Sequence, residues 1–317
     1  MQILETIIPV FLLIAIGFFL KKGNLLTDAG VSSIKQLAVN ILLPVTAFNV
    51  LINGTITKES FLLMGMIIVI LFAAWGVGHL YERFFDEKVR GYIPFIMTAF
   101  EGGMFGWALI SILVGPQNLF LIIPMDVTNG VFGFTFMTTC LKILDGQKMT
   151  KKETALSVVT NPLVIAVVLG FIGSLCGLGK IISDSAFAGT YNKCISFLTE
   201  PLSPLILICI GAGLTFEKGT LVAGLKAALL RIATLTVVVG LALLVLYRIS
   251  APSPVLLVSL LVYFAVPSSF ILPMYTNDPE VNKFMSSVLS IEIIFSLIIF
   301  SIISILVPLG VFGTISL

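Results

Sequence analysis

Charge is scarce in this sequence. Of 317 residues only 34 are Asp, Glu, Lys or Arg, or 11%, where a soluble domain carries roughly a quarter. Hydrophobic side chains make up 58%. A water-facing surface built from them would carry apolar patches far larger than the few hundred Å² that a monomer tolerates. The apolar solvent must therefore be lipid, and the chain reads as an all-α, multi-pass membrane protein. No long polar stretch leaves room for an attached nucleotide-binding or kinase domain, and the net charge of +2 is spread between apolar runs, so no nucleic-acid partner is expected. The sequence has one histidine, and its four cysteines (Cys140, Cys176, Cys194 and Cys209) lack C-x-x-C spacing. No metal site, disulfide framework or cofactor is expected from them. H-E-x-x-H and G-x-S-x-G patterns are also missing, which argues against an intramembrane enzyme.

What is present is a succession of apolar runs. They predict ten helices, near 3–21, 31–52, 60–84, 91–114, 118–141, 156–178, 194–216, 220–247, 254–275 and 284–312. The first contains Glu5 and is followed by Lys21 and Lys22, the reverse of a signal peptide's charge order, so it is expected to be a mature helix. Fourteen Lys and Arg residues follow odd-numbered helices, among them Lys35, Lys148, Lys218 and Arg231, whereas Lys58, Lys180, Lys193 and Arg248 follow even-numbered ones. This positive-inside bias predicts both termini outside the cytoplasm.

The halves resemble each other. Pro9 to Gly17-Phe18 in the first helix and Pro162 to Gly170-Phe171 in the sixth both read as Pro, seven apolar residues, then Gly-Phe, and Leu43-Pro44 has a counterpart in Ser203-Pro204. The expected architecture is two five-helix repeats, 1–153 and 154–317, inserted in opposite orientations because five is odd.

Two helices carry breaks. The fourth contains Thr98-Ala-Phe-Glu101-Gly102-Gly103 and the ninth Pro267-Ser268-Ser269-Phe-Ile-Leu-Pro273. Lipid cannot satisfy unwound backbone, so both should line an internal cavity, with half-helix N-termini favouring a bound anion. Neither broken helix contains Arg or Lys near its break. Candidate substrate-binding residues are Asn40, Thr98, Glu101, Gly102, Gly103, Pro267, Ser268 and Ser269. Intramembrane carboxyls are functional candidates because insertion costs roughly 2.5–3.5 kcal/mol, which makes Glu101, Asp126 and Glu292 candidates for ion coupling. The alternative for Glu101 is a cap on freed backbone, and Asp126 could as readily brace the broken fourth helix as bind an ion. Glu200 and Glu5 read as structural, and His79 as interfacial.

In Asn40-Ile-Leu-Leu-Pro44, Glu101-Gly-Gly-Met-Phe-Gly106, Pro124-Met-Asp126-Val-Thr-Asn129, Asn161-Pro162 with Gly170, Pro204 with Gly211, and Pro267-Ser-Ser, taken in order, the chain resembles the auxin efflux carrier family in its short prokaryotic branch. The resemblance implies crossing of the broken fourth and ninth helices, a dimerising scaffold (helices 1, 2, 6 and 7) and a mobile transport domain (helices 3–5 and 8–10). It also implies carriage of malate- or malonate-like organic acids. The sequence departs from it where Glu101 replaces a common Asn and Ala108 a common Pro. An ionised Glu101 would repel a carboxylate, so a coupling ion, H⁺ or Na⁺, should neutralise it. The expectation is a proton-coupled, homodimeric secondary transporter of the cell (plasma or inner) membrane. The alternatives are a sodium-coupled carrier resembling the bile acid symporters, or a non-transporting sensor.

Overall fold

A computed structural model describes residues 2–54, 57–146, 150–215, 219–276 and 278–313. Lys148, Lys218 and the C-terminal Leu317 lie outside the described residues. Every regular element among those described is helical. We number the main helices α1 (Gln2–Lys22), α2 (Asp28–Asn53), α3 (Lys58–Phe84), α4 (Ile93–Val114), α5 (Ile123–Leu144), α6 (Pro162–Leu175), α7 (Ala188–Ala212), α8 (Leu221–Ile249), α9 (Pro254–Ala265) and α10 (Pro279–Leu306). By length and composition, α2, α3, α4, α5, α7, α8 and α10 suffice to cross a membrane. The protein is thus an all-helical membrane protein with seven such helices among the described residues, together with the apolar α1 and the shorter apolar α6 and α9.

Where the expected helices shorten, the reason is local. The run predicted over 156–178 is cut at Thr160-Asn161, because Pro162 cannot donate to a preceding turn. Asn161 instead caps α6, its Oδ1 accepting from Leu163 N–H (2.9 Å) and Val164 N–H (3.2 Å). The run predicted over 254–275 ends at Ala265, and past Pro267 only a 3₁₀ turn, Leu272–Tyr275, follows.

Lipid removes the hydrophobic drive for helices to associate, so close backbone approach carries more of the packing. α1 and α7 show this reciprocally. Gly17 faces the Ile208 carbonyl on α7, Gly211 faces the Ile14 carbonyl on α1, and a Cβ at either glycine would collide with that backbone. α2 packs on α6, α3 on α4 and α5, and α8 and α9 on α10. At the centre lies α4, with 78% of its apolar stretch buried against 28% for α8.

Candidate functional site

α4 is helical over Ile93–Met97, unwinds, and resumes as a π turn, Gly102–Gly106, that continues into Trp107–Val114. In the gap Ala99 has φ +34°, a conformation costly for a residue with a Cβ and kept only where surroundings enforce it. Glu101, at φ −82° and ψ 60°, has the shape of an inverse γ-turn. The chain therefore turns sharply there, and its backbone groups need partners from outside the helix.

Two side chains, Arg231 and Asn129, supply partners, and two more, Asp126 and Thr98, pack the turn in place. Arg231, buried in α8, donates through Nη1 to the Ile96 and Thr98 carbonyls (both 2.5 Å) and through Nη2 to the Ala99 carbonyl (2.9 Å). A cation thus covers the carbonyl end of the first half-helix. Its guanidinium also lies 5.1 Å from the Phe100 ring centroid. Asn129 of α5 pairs with both backbone groups of Phe100, its Oδ1 accepting from the N–H (3.0 Å) and its Nδ2 donating to the carbonyl (2.8 Å). Beside it, Asp126 accepts from the Tyr263 hydroxyl (2.7 Å). Asp126 also presses against Gly102, where any Cβ would overlap the carboxylate. Thr98 sends its hydroxyl to the Leu71 carbonyl of α3 (2.9 Å).

The break after α9 meets this one directly. Glu101 N–H donates to the Pro267 carbonyl (3.0 Å), and Glu101 Oε2 accepts from Phe270 N–H (2.7 Å), with the Ser269 hydroxyl at 3.4 Å. One residue of α4 therefore serves a carbonyl and an N–H of the other break. Ser268 donates both its N–H (2.8 Å) and its hydroxyl (2.6 Å) to Glu292 Oε2 of α10. The other oxygen, Glu292 Oε1, has no hydrogen-bond donor and lies 3.7 Å from Arg231 Nε. The Arg231–Glu292 pair thus ties the α4 break to the α9 break. Both members are almost fully enclosed, at 2% and 4% side-chain exposure.

The junction gathers Thr98, Glu101, Gly102, Pro267, Ser268, Ser269, Asp126 and Glu292. Gly103, partly exposed, borders it beside Leu43 of α2. Asn40 does not join it: it is exposed on a π turn of α2, Ala38–Leu42.

Three expectations need correction. First, Arg231, one of the fourteen basic residues that follow odd-numbered helices, lies well inside α8 and is buried, so it does not count toward sidedness. Second, the breaks do have a basic residue, supplied by a neighbouring helix rather than by the broken ones. Third, the positive half-helix ends are not vacant for an anion. Glu101 and Glu292 already occupy the α9 side, where the second half is a four-residue turn with little dipole, and Asp126 stands at Gly102. Two cavities flank the junction. One, of about 270 Å³, lies among α8, α9 and α10 and reaches Arg231, Val266 and Glu292. The other, of about 150 Å³, lies among α2, α7 and α10 and reaches Lys35, Phe270 and Ser290.

Two adjoining breaks closed by buried charge form a junction that a passive lipid-facing bundle has no use for, and sequence comparison agrees. The membrane transport protein family matches residues 2–304. The chain belongs to that family, the auxin efflux carriers. This carrier is also 24% identical over 240 residues to a protein named as an uncharacterised transporter from Methanothermobacter thermautotrophicus, covering 70% of this chain and 74% of the other. A membrane transporter, rather than a member of a catalytic family, is what the chain is.

Proposed function

We propose that the protein moves small carboxylates of the malate and malonate type across the cell membrane by alternating access, coupled to protons. The observation that carries this reading is Glu101 at the α4–α9 junction, a residue of one break whose N–H and carboxylate both bond to the other. An ionised Glu101 repels an incoming carboxylate, and a proton removes that repulsion. A protonated carboxyl still has an acceptor oxygen for Phe270 N–H, so the junction can persist through the cycle. The packing of α1 on α7 and α2 on α6 supports a scaffold, and that of α3 on α4 and α5 and of α8 and α9 on α10 supports a separate mobile body. Two inverted repeats, 1–153 and 154–317, would account for the pairing of α1 and α2 with the first helices of the second half, and a homodimer would form through the scaffold.

Uptake of labelled organic acids into proteoliposomes, with proton and sodium gradients imposed separately, tests the reading. Carboxylate uptake should rise with an inward proton gradient and ignore sodium at fixed pH and potential. A requirement for sodium replaces the coupling ion, and a preference for organic cations overturns the substrate class. Both termini are proposed to lie outside the cytoplasm. In a background without native thiols, single cysteines at Lys58 or Asn192 should then react with an impermeant reagent in intact cells, while those at Gly146 or Asn282 should not.

A further inference from the structure

We infer that Lys35 of α2 is the residue that holds a carboxylate group of the transported anion, in the cavity between α2, α7, α10 and the segment after α9. This rests on the reading of the protein as a carboxylate carrier and names the partner that the half-helix ends, already met by the protein's own carboxylates, do not provide.

The cavity is about 150 Å³, below the roughly 300–1,000 Å³ of pockets for drug-sized ligands, so it suits an acid of a few carbons. Lys35 lines it together with Cys209, Phe270, Pro273, Ser286 and Ser290. Among the described residues no carboxylate lies within ion-pair distance of Lys35, unlike Lys21 and Lys88, which pair with Asp28 and Glu280. Its ammonium instead rests 5.6 Å from the centroid of the Phe270 ring, a weak partner that an anion readily replaces. A half-buried lysine facing a small cavity, with Glu101 acting on it only from beyond ion-pair distance, is a position where an entering carboxylate gains a direct ion pair that the empty protein does not make. The two serines add polar contact on the α10 side, and Ser290 is held in place by donating to the Ser286 carbonyl (2.9 Å) and accepting from Thr215 N–H (2.9 Å).

Phe270 links this cavity to the junction. Its ring meets Lys35, and its N–H is the donor held by Glu101 Oε2. A carboxylate at Lys35 therefore sits one residue from Glu101, where repulsion between two negative charges favours uptake of a proton with the substrate. Lys35 belongs to the proposed scaffold, whereas Phe270 and Ser290 belong to the proposed mobile body. Movement of one past the other would take the substrate away from Lys35, which makes the lysine a partner in one orientation only.

The test is exchange of labelled malonate by the full-length protein in proteoliposomes. Lys35→Gln should raise the half-saturating concentration by about tenfold or more, equivalent to roughly 1.4 kcal/mol, while Lys35→Arg should stay close to wild type. In a background stripped of native thiols, Lys35→Cys should behave like Lys35→Gln and regain affinity when aminoethyl methanethiosulfonate restores a positive charge, a recovery that a misfolded variant cannot show. Malonate exchange with unchanged half-saturation in Lys35→Gln, or no recovery on restoring the charge, overturns the role of Lys35 and leaves the carrier reading standing. Wild-type protein that transports other solutes but no carboxylate overturns the carrier reading and this inference with it.

Discussion

At the α4 break side-chain charge meets the carbonyls at the end of the first half-helix, and at the α9 break it meets N–H groups of the segment that follows the half-helix. The partners differ in charge to match. Arg231 covers the carbonyls of Ile96, Thr98 and Ala99, while Glu101 and Glu292 take the N–H groups of Phe270 and Ser268. Both solutions follow from the same requirement, that backbone at membrane depth find its partners within the protein. They differ in what they leave adjustable. A guanidinium keeps its charge under all ordinary conditions, so the α4 side is fixed. A carboxylate can gain or lose a proton while still accepting a hydrogen bond, so the α9 side can change charge without coming apart. The lesson is that the fixed charge anchors the junction and the titratable ones make it responsive.

Substitutions can break that comparison, and the largest effect is expected at Arg231. Arg231→Leu leaves three carbonyls without their donor and Glu292 without its counter-charge. A loss of about 3–5 kcal/mol is expected from breaking a buried pair, read as poor yield and a collapsed unfolding temperature in detergent. Glu292→Gln keeps an acceptor oxygen for Ser268 but replaces two charge-assisted bonds with neutral ones. Arg231 also loses its counter-charge while keeping its three carbonyl partners, so thermal unfolding should show a loss at the lower end of that range, about 3 kcal/mol. Asn129→Leu removes both bonds to Phe100. Hydrogen bonds inside membrane proteins are worth about 0.6 kcal/mol on average, so the same measurement should show a loss of roughly 1 kcal/mol. Equal losses for Arg231→Leu and Asn129→Leu would contradict the anchoring role given to the arginine.

The junction is partly legible in the sequence. Glu101-Gly102-Gly103 and Pro267-Ser268-Ser269 announce unwound backbone, because paired glycines, prolines and a carboxyl have no place in an uninterrupted lipid-facing helix, and the two segments do meet. Asp126 was legible as a brace or an ion ligand, but the pairing of Asn129 with both groups of Phe100 was not, because it depends on a sharp turn that the residue pattern does not specify. Arg231 and Lys35 were read as positive-inside charge. An arginine in the third turn of a long helix looks the same in sequence whether it reaches for the interface or for a neighbour's carbonyls, and only helix rotation decides. Asn40, placed at the site from its polarity, is exposed on a π turn of α2 away from the junction, and the apolar pattern of Val39, Ile41 and Leu42 around it does not announce that turn. The shortness of the turn after α9 was hidden for a related reason, since Phe270, Ile271 and Leu272 continue the apolar run that the prolines interrupt.

The smallest structural effect and the most direct test of responsiveness fall on the same substitution. Glu101→Gln keeps an acceptor for Phe270 N–H, so its unfolding temperature should lie within the equivalent of about 1 kcal/mol of wild type. What it should change is coupling. In proteoliposomes, the account predicts that Glu101→Gln still exchanges labelled substrate across the membrane but that an inward proton gradient no longer accelerates its uptake, whereas the wild type responds. Uptake by Glu101→Gln that responds to the proton gradient as fully as wild type would contradict it.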